Sequence, residues 1–265
     1  VTRPYRAVLF DLFDTLVRFD RERLPLVRVD GRDVRSSVGR LLEVLRPSAP
    51  HVTIEALHGA MGASWKEAER LRAIDHREVP APERFAHLFR CLSLDPDRCR
   101  PGLITDLIET HRRELARAVA FPDRHRAFLT ELRARYRMAV VSNFDYTPTA
   151  LAILREAGIV DLFETIVVSD EVGWRKPAPT IFQRTLATMG LRPDETLFVG
   201  DRIDIDVAGA RSVGMDAAWL NPDAEPRPPE HGPPTYELRD LVDLRPILDG
   251  PDAEGSVGPR RASQE

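Results

Sequence analysis

The chain has 265 residues, of which 43% are hydrophobic and 30% charged, a balance that sustains a buried core and excludes a wholly disordered or fibrous chain. Its formal charge of -4, with both signs interspersed, leaves no broad cationic face for a nucleic-acid backbone, and no apolar run is long enough to span a membrane. Neither nucleic acid nor membrane is an expected partner. Only two cysteines occur, Cys91 and Cys99, in neither a redox nor a zinc spacing, so a reduced cytoplasmic protein without an export segment is the expectation.

In chain order, residues 7–10 form a short apolar run ending on Asp11, which reads as a buried strand that delivers a carboxylate at its C-terminal end. The stretch 18–120 turns largely helical, with apolar residues at Val38, Leu41, Leu42 and Leu45 and again at Leu103, Leu107 and Ile108; its one strand signal is a short hairpin around 26–34. A helix over 124–135 then leads into a second buried strand at 138–141, ending on Ser142 and Asn143. A helix over 148–157 stops at Gly158, a third strand covers 165–169, a helix over 180–189 closes at Gly190, and a fourth strand covers 196–199, ending in Gly200 and Asp201.

This alternation predicts an α/β fold, a Rossmann-like parallel sheet with an inserted α-helical cap. The expected division is a core of residues 1–17 and 121–250, a cap of 18–120, and a frayed tail of 251–265. Residues 221–234 carry six prolines, too many for a regular element, and read as an extended loop before a short closing segment.

Asp11, Ser142, Lys176 and Asp201 all follow strand ends, and in a parallel sheet such ends converge on one crevice. With Phe-Asp-Leu-Phe-Asp-Thr-Leu at 10–16, Ser-Asn at 142–143, Lys-Pro at 176–177 and Gly-Asp-Arg-Ile-Asp-Ile-Asp at 200–206, the sequence resembles the haloacid dehalogenase superfamily over about residues 7–220. Any one of these motifs is weak; four in order are specific.

The resemblance implies a magnesium (Mg2+) dependent hydrolase, a phosphatase that acts on a phosphorylated small molecule through an aspartyl-phosphate. A carboxylate held in line with phosphorus can split one hard hydrolysis into two steps, and Asp11 is assigned as that nucleophile. Thr15 either holds the Asp11 turn by a hydrogen bond or merely starts a helix. Ser142 or Asn143 is expected to donate to a phosphoryl oxygen, and Lys176, one of two lysines in an arginine-rich chain, to neutralise charge on Asp11 and substrate. The implied metal ligands are Asp11, the main-chain carbonyl of Phe13, and Asp201, with Asp206 ligating directly or through water, or supporting Lys176.

One position departs from the family's phosphatases. Two residues after the nucleophile they carry an aspartate that protonates the leaving group, and here Phe13 stands there, unable to move a proton. Asp14 is one place further, and adjacent residues of an extended segment point to opposite sides. An aromatic residue at this place resembles the metal-free dehalogenases, whereas Asp201 and Asp206 retain the acidic ligands of the phosphatases. Phosphoryl transfer to water from a substrate with a good leaving group is the leading expectation. A 2-haloacid dehalogenase-like hydrolase, or a degenerate member that binds a phosphorylated ligand or a protein, is the alternative.

Overall fold

The computed structural model describes residues 5–249 and divides into two compact units. One comprises the chain through Arg18, Phe121–Phe144 and the residues from Leu154 on; the other comprises Phe19–Ala120 and Asp145–Ile153. Residues 145–153, placed with the core in the sequence-based division, group with the second unit, and the boundary falls inside the helix Thr147–Glu156. The expected tail at 251–265 lies outside the described residues.

The first unit is built on a six-stranded sheet, all of whose paired neighbours run parallel. Its strands are β1 (Ala7–Phe10), β2 (Arg137–Ser142), β3 (Thr165–Val168), β4 (Thr196–Gly200), β5 (Asp216–Leu220) and β6 (Tyr236–Leu238), in the spatial order β6-β5-β4-β1-β2-β3. Every residue of β1 is buried, as a central strand covered on both faces requires, which explains why its sequence is a continuous apolar run rather than an alternation. From β1 the chain moves outward through β2 and β3, then returns to the opposite side of β1 as β4. The crevice outside the carboxyl ends of β1 and β4 is therefore the switch point where ligands of open α/β sheets bind.

One face of the sheet packs Leu9, Val141 and Phe198 against Ile181, Phe182 and Leu186 of the helix Pro179–Met189, with Phe182 and Phe198 edge-to-face at 5.2 Å. That helix starts with a proline in its first turn and ends at Gly190, whose φ of 60° is the left-handed conformation of a helix stop.

The second unit contains a hairpin, Leu26–Val29 with Arg32–Arg35, whose two-residue turn Asp30-Gly31 has positive φ at both positions, as a tight turn matched to strand twist demands. Four helices follow: α1 (Val38–Leu45), α2 (Ile54–Asp75), α3 (Ala81–Cys91) and α4 (Leu103–Arg117). The stripe Val38, Leu41, Leu42 and Leu45 is wholly buried against Leu57, Phe85, Leu88, Leu107 and Ile108, so this unit has its own apolar core. Among the described residues no helix is long and apolar enough to cross a membrane.

Candidate active site

Asp11 follows β1 directly, and its backbone N–H continues the ladder by donating to the Val199 carbonyl at 2.9 Å. Lys176 lies in the loop after β3, where its buried ammonium reaches Asp11 Oδ1 at 2.5 Å and Asp206 Oδ1 at 2.8 Å. Its Nζ also stands over the Phe198 ring, 5.3 Å from the centroid. Asp206 sits in a π-helical turn, Ile203–Val207, that follows β4, and its Oδ2 accepts the Arg202 N–H at 3.1 Å. Such turns re-aim side chains at functional sites.

Asp11, Asp201 and Asp206 each offer a carboxylate oxygen, and these lie within 4.8 Å of one another. Three carboxylates against one lysine leave surplus negative charge in a buried place. Burial pushes the Asp11 carboxyl up to about 6 against the pull of Lys176, with Asp206 adding to the rise. Burial, then repulsion from Asp11 and Asp206, pushes Asp201 up to about 8. Burial opposes the Lys176 charge, but the two carboxylates outweigh it and its pKa is raised. A hard divalent cation, which takes oxygen ligands and relieves such repulsion, fits this donor set.

Thr15 is buried, with Oγ1 3.5 Å from Asp11 Oδ2, at the long limit of a hydrogen bond. Ser142 is fully buried at the end of β2, and its hydroxyl has no hydrogen-bond partner among the described residues. Asn143 turns both ends of its amide to the Lys176 backbone, donating to the carbonyl at 2.9 Å and accepting the N–H at 2.7 Å. Phe13 packs on Phe144, ring centroids 5.0 Å apart, and Asp14 sits exposed beyond it at a φ of 58°. Asp204 points away into an ion pair with Arg202 at 2.8 Å.

Several supports of the site carry no local sequence signal. Trp219 on β5 donates its indole N–H to the Asp201 carbonyl at 2.8 Å, and Ser169 Oγ accepts the Phe144 N–H at 2.9 Å. Gly200 lies so close to Asp206 that a Cβ would stand 2.3 Å from Oδ2. Gly209 likewise admits the Pro177 backbone and the Phe182 ring, each of which a Cβ would meet at 3.0 Å or less.

A family model described as haloacid dehalogenase-like hydrolase matches residues 5–214. The chain belongs to this family. This haloacid dehalogenase-like hydrolase is 30% identical over 258 residues to the phosphoserine phosphatase of Thermus thermophilus, covering 92% of this chain and 98% of that one. It is 26% identical over 247 residues to YfnB of Bacillus subtilis, covering 93% and 96%. The solved structure of YfnB, bound to magnesium, matches with a TM-score of 0.60 at 22% identity over 92% of this chain and 99% of that one. The 2-haloacid dehalogenase of Pseudomonas syringae pv. Tomato matches with a TM-score of 0.69, also at 22% identity, over 92% and 98%. At such identities the solved structures establish the shared fold.

Proposed function

We propose that the protein is a magnesium-dependent phosphatase of small phosphorylated molecules, working through an aspartyl-phosphate on Asp11. The observation that carries this reading is the convergence of Asp11, Asp201 and Asp206 beside Lys176, a donor set that a metal-free reaction at carbon has no need of. The magnesium found with YfnB and the phosphatase activity named for the Thermus relative support it.

Asp11, Asp201, Asp206 and the main-chain carbonyl of Phe13 are the groups that would hold the ion. When bound, magnesium neutralises charge on the transferring phosphoryl group. Asp11 attacks phosphorus in line, the bond to the leaving oxygen breaks, and water then attacks the phosphorus of the aspartyl-phosphate, releasing phosphate and restoring the carboxylate. The unpartnered Ser142 hydroxyl donates to a phosphoryl oxygen. Lys176 balances the charge of Asp11 and substrate, Asn143 fixes the Lys176 backbone, and Thr15 steadies Asp11. The Phe13 and Phe144 rings supply no proton, which suits acyl and aryl phosphates, whose leaving groups depart as weak bases.

The aromatic pair also favours a second reading, a hydrolase attacking carbon as 2-haloacid dehalogenases do. Phosphate release from p-nitrophenyl phosphate and acetyl phosphate, with magnesium or with chelator, in wild type and Asp11→Asn, separates the two. Magnesium-dependent release abolished by the substitution supports the phosphatase. Chloride release from 2-chloropropionate in chelator, without phosphate release, supports the dehalogenase, and no turnover of any of them points to a binding protein.

A further inference from the structure

The longest helix of the second unit leaves one face without a partner. α2 (Ile54–Asp75) buries Leu57, Ala60, Ser64, Ala68 and Arg72, and turns Glu55, Gly59, Gly62 and Lys66 to solvent. At about 100° per residue these four exposed positions fall within about 60° of one another around the helix axis, so they make a single strip. Gly59 and Gly62 are interior to the helix, where glycine costs stability relative to alanine, and a Cβ at either would meet nothing within 4 Å. No close approach among the described residues asks for them. What they supply is a bare stretch of helix that another backbone can approach closely.

Beside the strip stands Trp65, 49% exposed. One part of the indole rests against the buried Arg72 and Arg84, whose guanidinium carbons lie 5.3 and 5.4 Å from the ring centre, so the ring is held while the rest of it meets water. Tryptophans of this kind are characteristic anchors of protein interfaces.

The charges on the strip identify what covers it. Glu55 bonds to Thr53 and to nearby backbone, and neither it nor Lys66 forms an ion pair among the described residues. About a two-fold axis that crosses α2 between Ala60 and Met61, Glu55 exchanges with Lys66 and Gly59 exchanges with Gly62. An antiparallel second copy of α2 in this register meets Lys66 with its Glu55 and Glu55 with its Lys66. It also sets glycine against glycine where the two axes are closest, and brings its His58 beside Trp65. A parallel copy would set Glu55 on Glu55 and Lys66 on Lys66, and an antiparallel pair centred on Gly62 would set Glu55 on Glu69; like charges so placed repel.

We infer that this face of α2 is a homodimer interface, in which two copies of the chain pair their α2 helices antiparallel across Gly59 and Gly62. A 22-residue helix is about 33 Å long, and one helix pair covers less than the roughly 800 Å² per partner of a standard interface, so a dimer of micromolar strength is expected.

Sedimentation equilibrium of the full chain, from about 1 to 200 µM, measures it. Wild type should show a monomer–dimer equilibrium with Kd on the order of 10 µM, weaker at high salt. Lys66→Glu sets glutamate on glutamate at both ends of the pair and Glu55→Lys sets lysine on lysine, so each should weaken the dimer about tenfold or more. Mixed one to one, these two variants restore opposite charges at both ends and should associate with each other about as tightly as wild type does with itself. Gly62→Leu meets nothing in its own chain but fills the place of closest approach, and should abolish pairing with the helix content by circular dichroism unchanged. A wild type that stays monomeric through this range overturns the inference. So does a dimer that survives Lys66→Glu and Gly62→Leu unchanged, or a mixture of the two charge variants that fails to associate.

Discussion

Replacing Asp11 by asparagine should abolish turnover and, in metal-free protein, raise stability. Asp11 is only 7% exposed, and its carboxyl is pushed from 3.8 up to about 6, burial being the main cause. At roughly 1.4 kcal/mol per tenfold in the proton equilibrium, holding it ionised in the folded state costs about 3 kcal/mol once the pH is above both values. Because the folded-state pKa is the higher one, the folded protein binds the extra proton between these values. The contribution of Asp11 to stability is therefore full below about pH 4 and lost as the pH rises through about 6.

The amide removes this cost but leaves Lys176 with a neutral acceptor where it had a carboxylate at 2.5 Å, so the net gain should be about 1–3 kcal/mol. For a chain of this size that is a rise in Tm of roughly 3–9 °C near pH 8, shrinking to nothing near pH 4. Thermal unfolding followed by circular dichroism in chelator, at a series of pH values, measures it. A variant less stable than wild type at pH 8, or a difference that does not change with pH, would refute the charge-repulsion account of this site.

Three further outcomes follow from the same geometry. Gly200→Ala places a Cβ 2.3 Å from Asp206 Oδ2, so Asp206 must move; activity should fall about tenfold or more and stability by about 1–3 kcal/mol, read by steady-state kinetics and urea unfolding. Asn143→Ala loses two hydrogen bonds to the Lys176 backbone, worth about 0.5–1.5 kcal/mol each, and should lower kcat for p-nitrophenyl phosphate about tenfold or more with little change in KM. Magnesium should raise Tm more at high pH than at low pH, because Asp11 and Asp201, raised to about 6 and about 8, must lose their protons to serve as ligands, a dependence checked by thermal shift across that window.

Much of the first unit was legible in the sequence because its central strands are buried on both faces and therefore spelled as apolar runs. β1 and β4 end just before Asp11 and Asp201, and β2 ends on Ser142, whereas Lys176, expected at a strand end, lies eight residues beyond β3 and past a short helix, Ser169–Val172. The outer strands were not legible. β5 reads Asp-Ala-Ala-Trp-Leu, with little β-branched signal, and β6 is three residues long beyond a proline-rich loop; both are held by the neighbouring strand rather than by local preference.

The same distinction applies to side chains. Lys176 could be picked out as a rare lysine before a proline, whereas the Trp219 bond to Asp201 joins residues that only the fold brings together. Asn143, expected with Ser142 as a donor to a phosphoryl oxygen, has its amide engaged with the Lys176 backbone. The buried arginines were unforeseen, since Arg72, Arg84 and Arg112 come from three helices and look like ordinary polar residues in each.

The most direct test of the central claim is to trap the covalent intermediate. Wild-type protein mixed with 32P-labelled acetyl phosphate and magnesium, quenched in acid and digested, should yield label on the peptide that carries Asp11, none with chelator and none in Asp11→Asn. Phosphate turnover by wild type without label on that peptide, or undiminished turnover in Asp11→Asn, would contradict it.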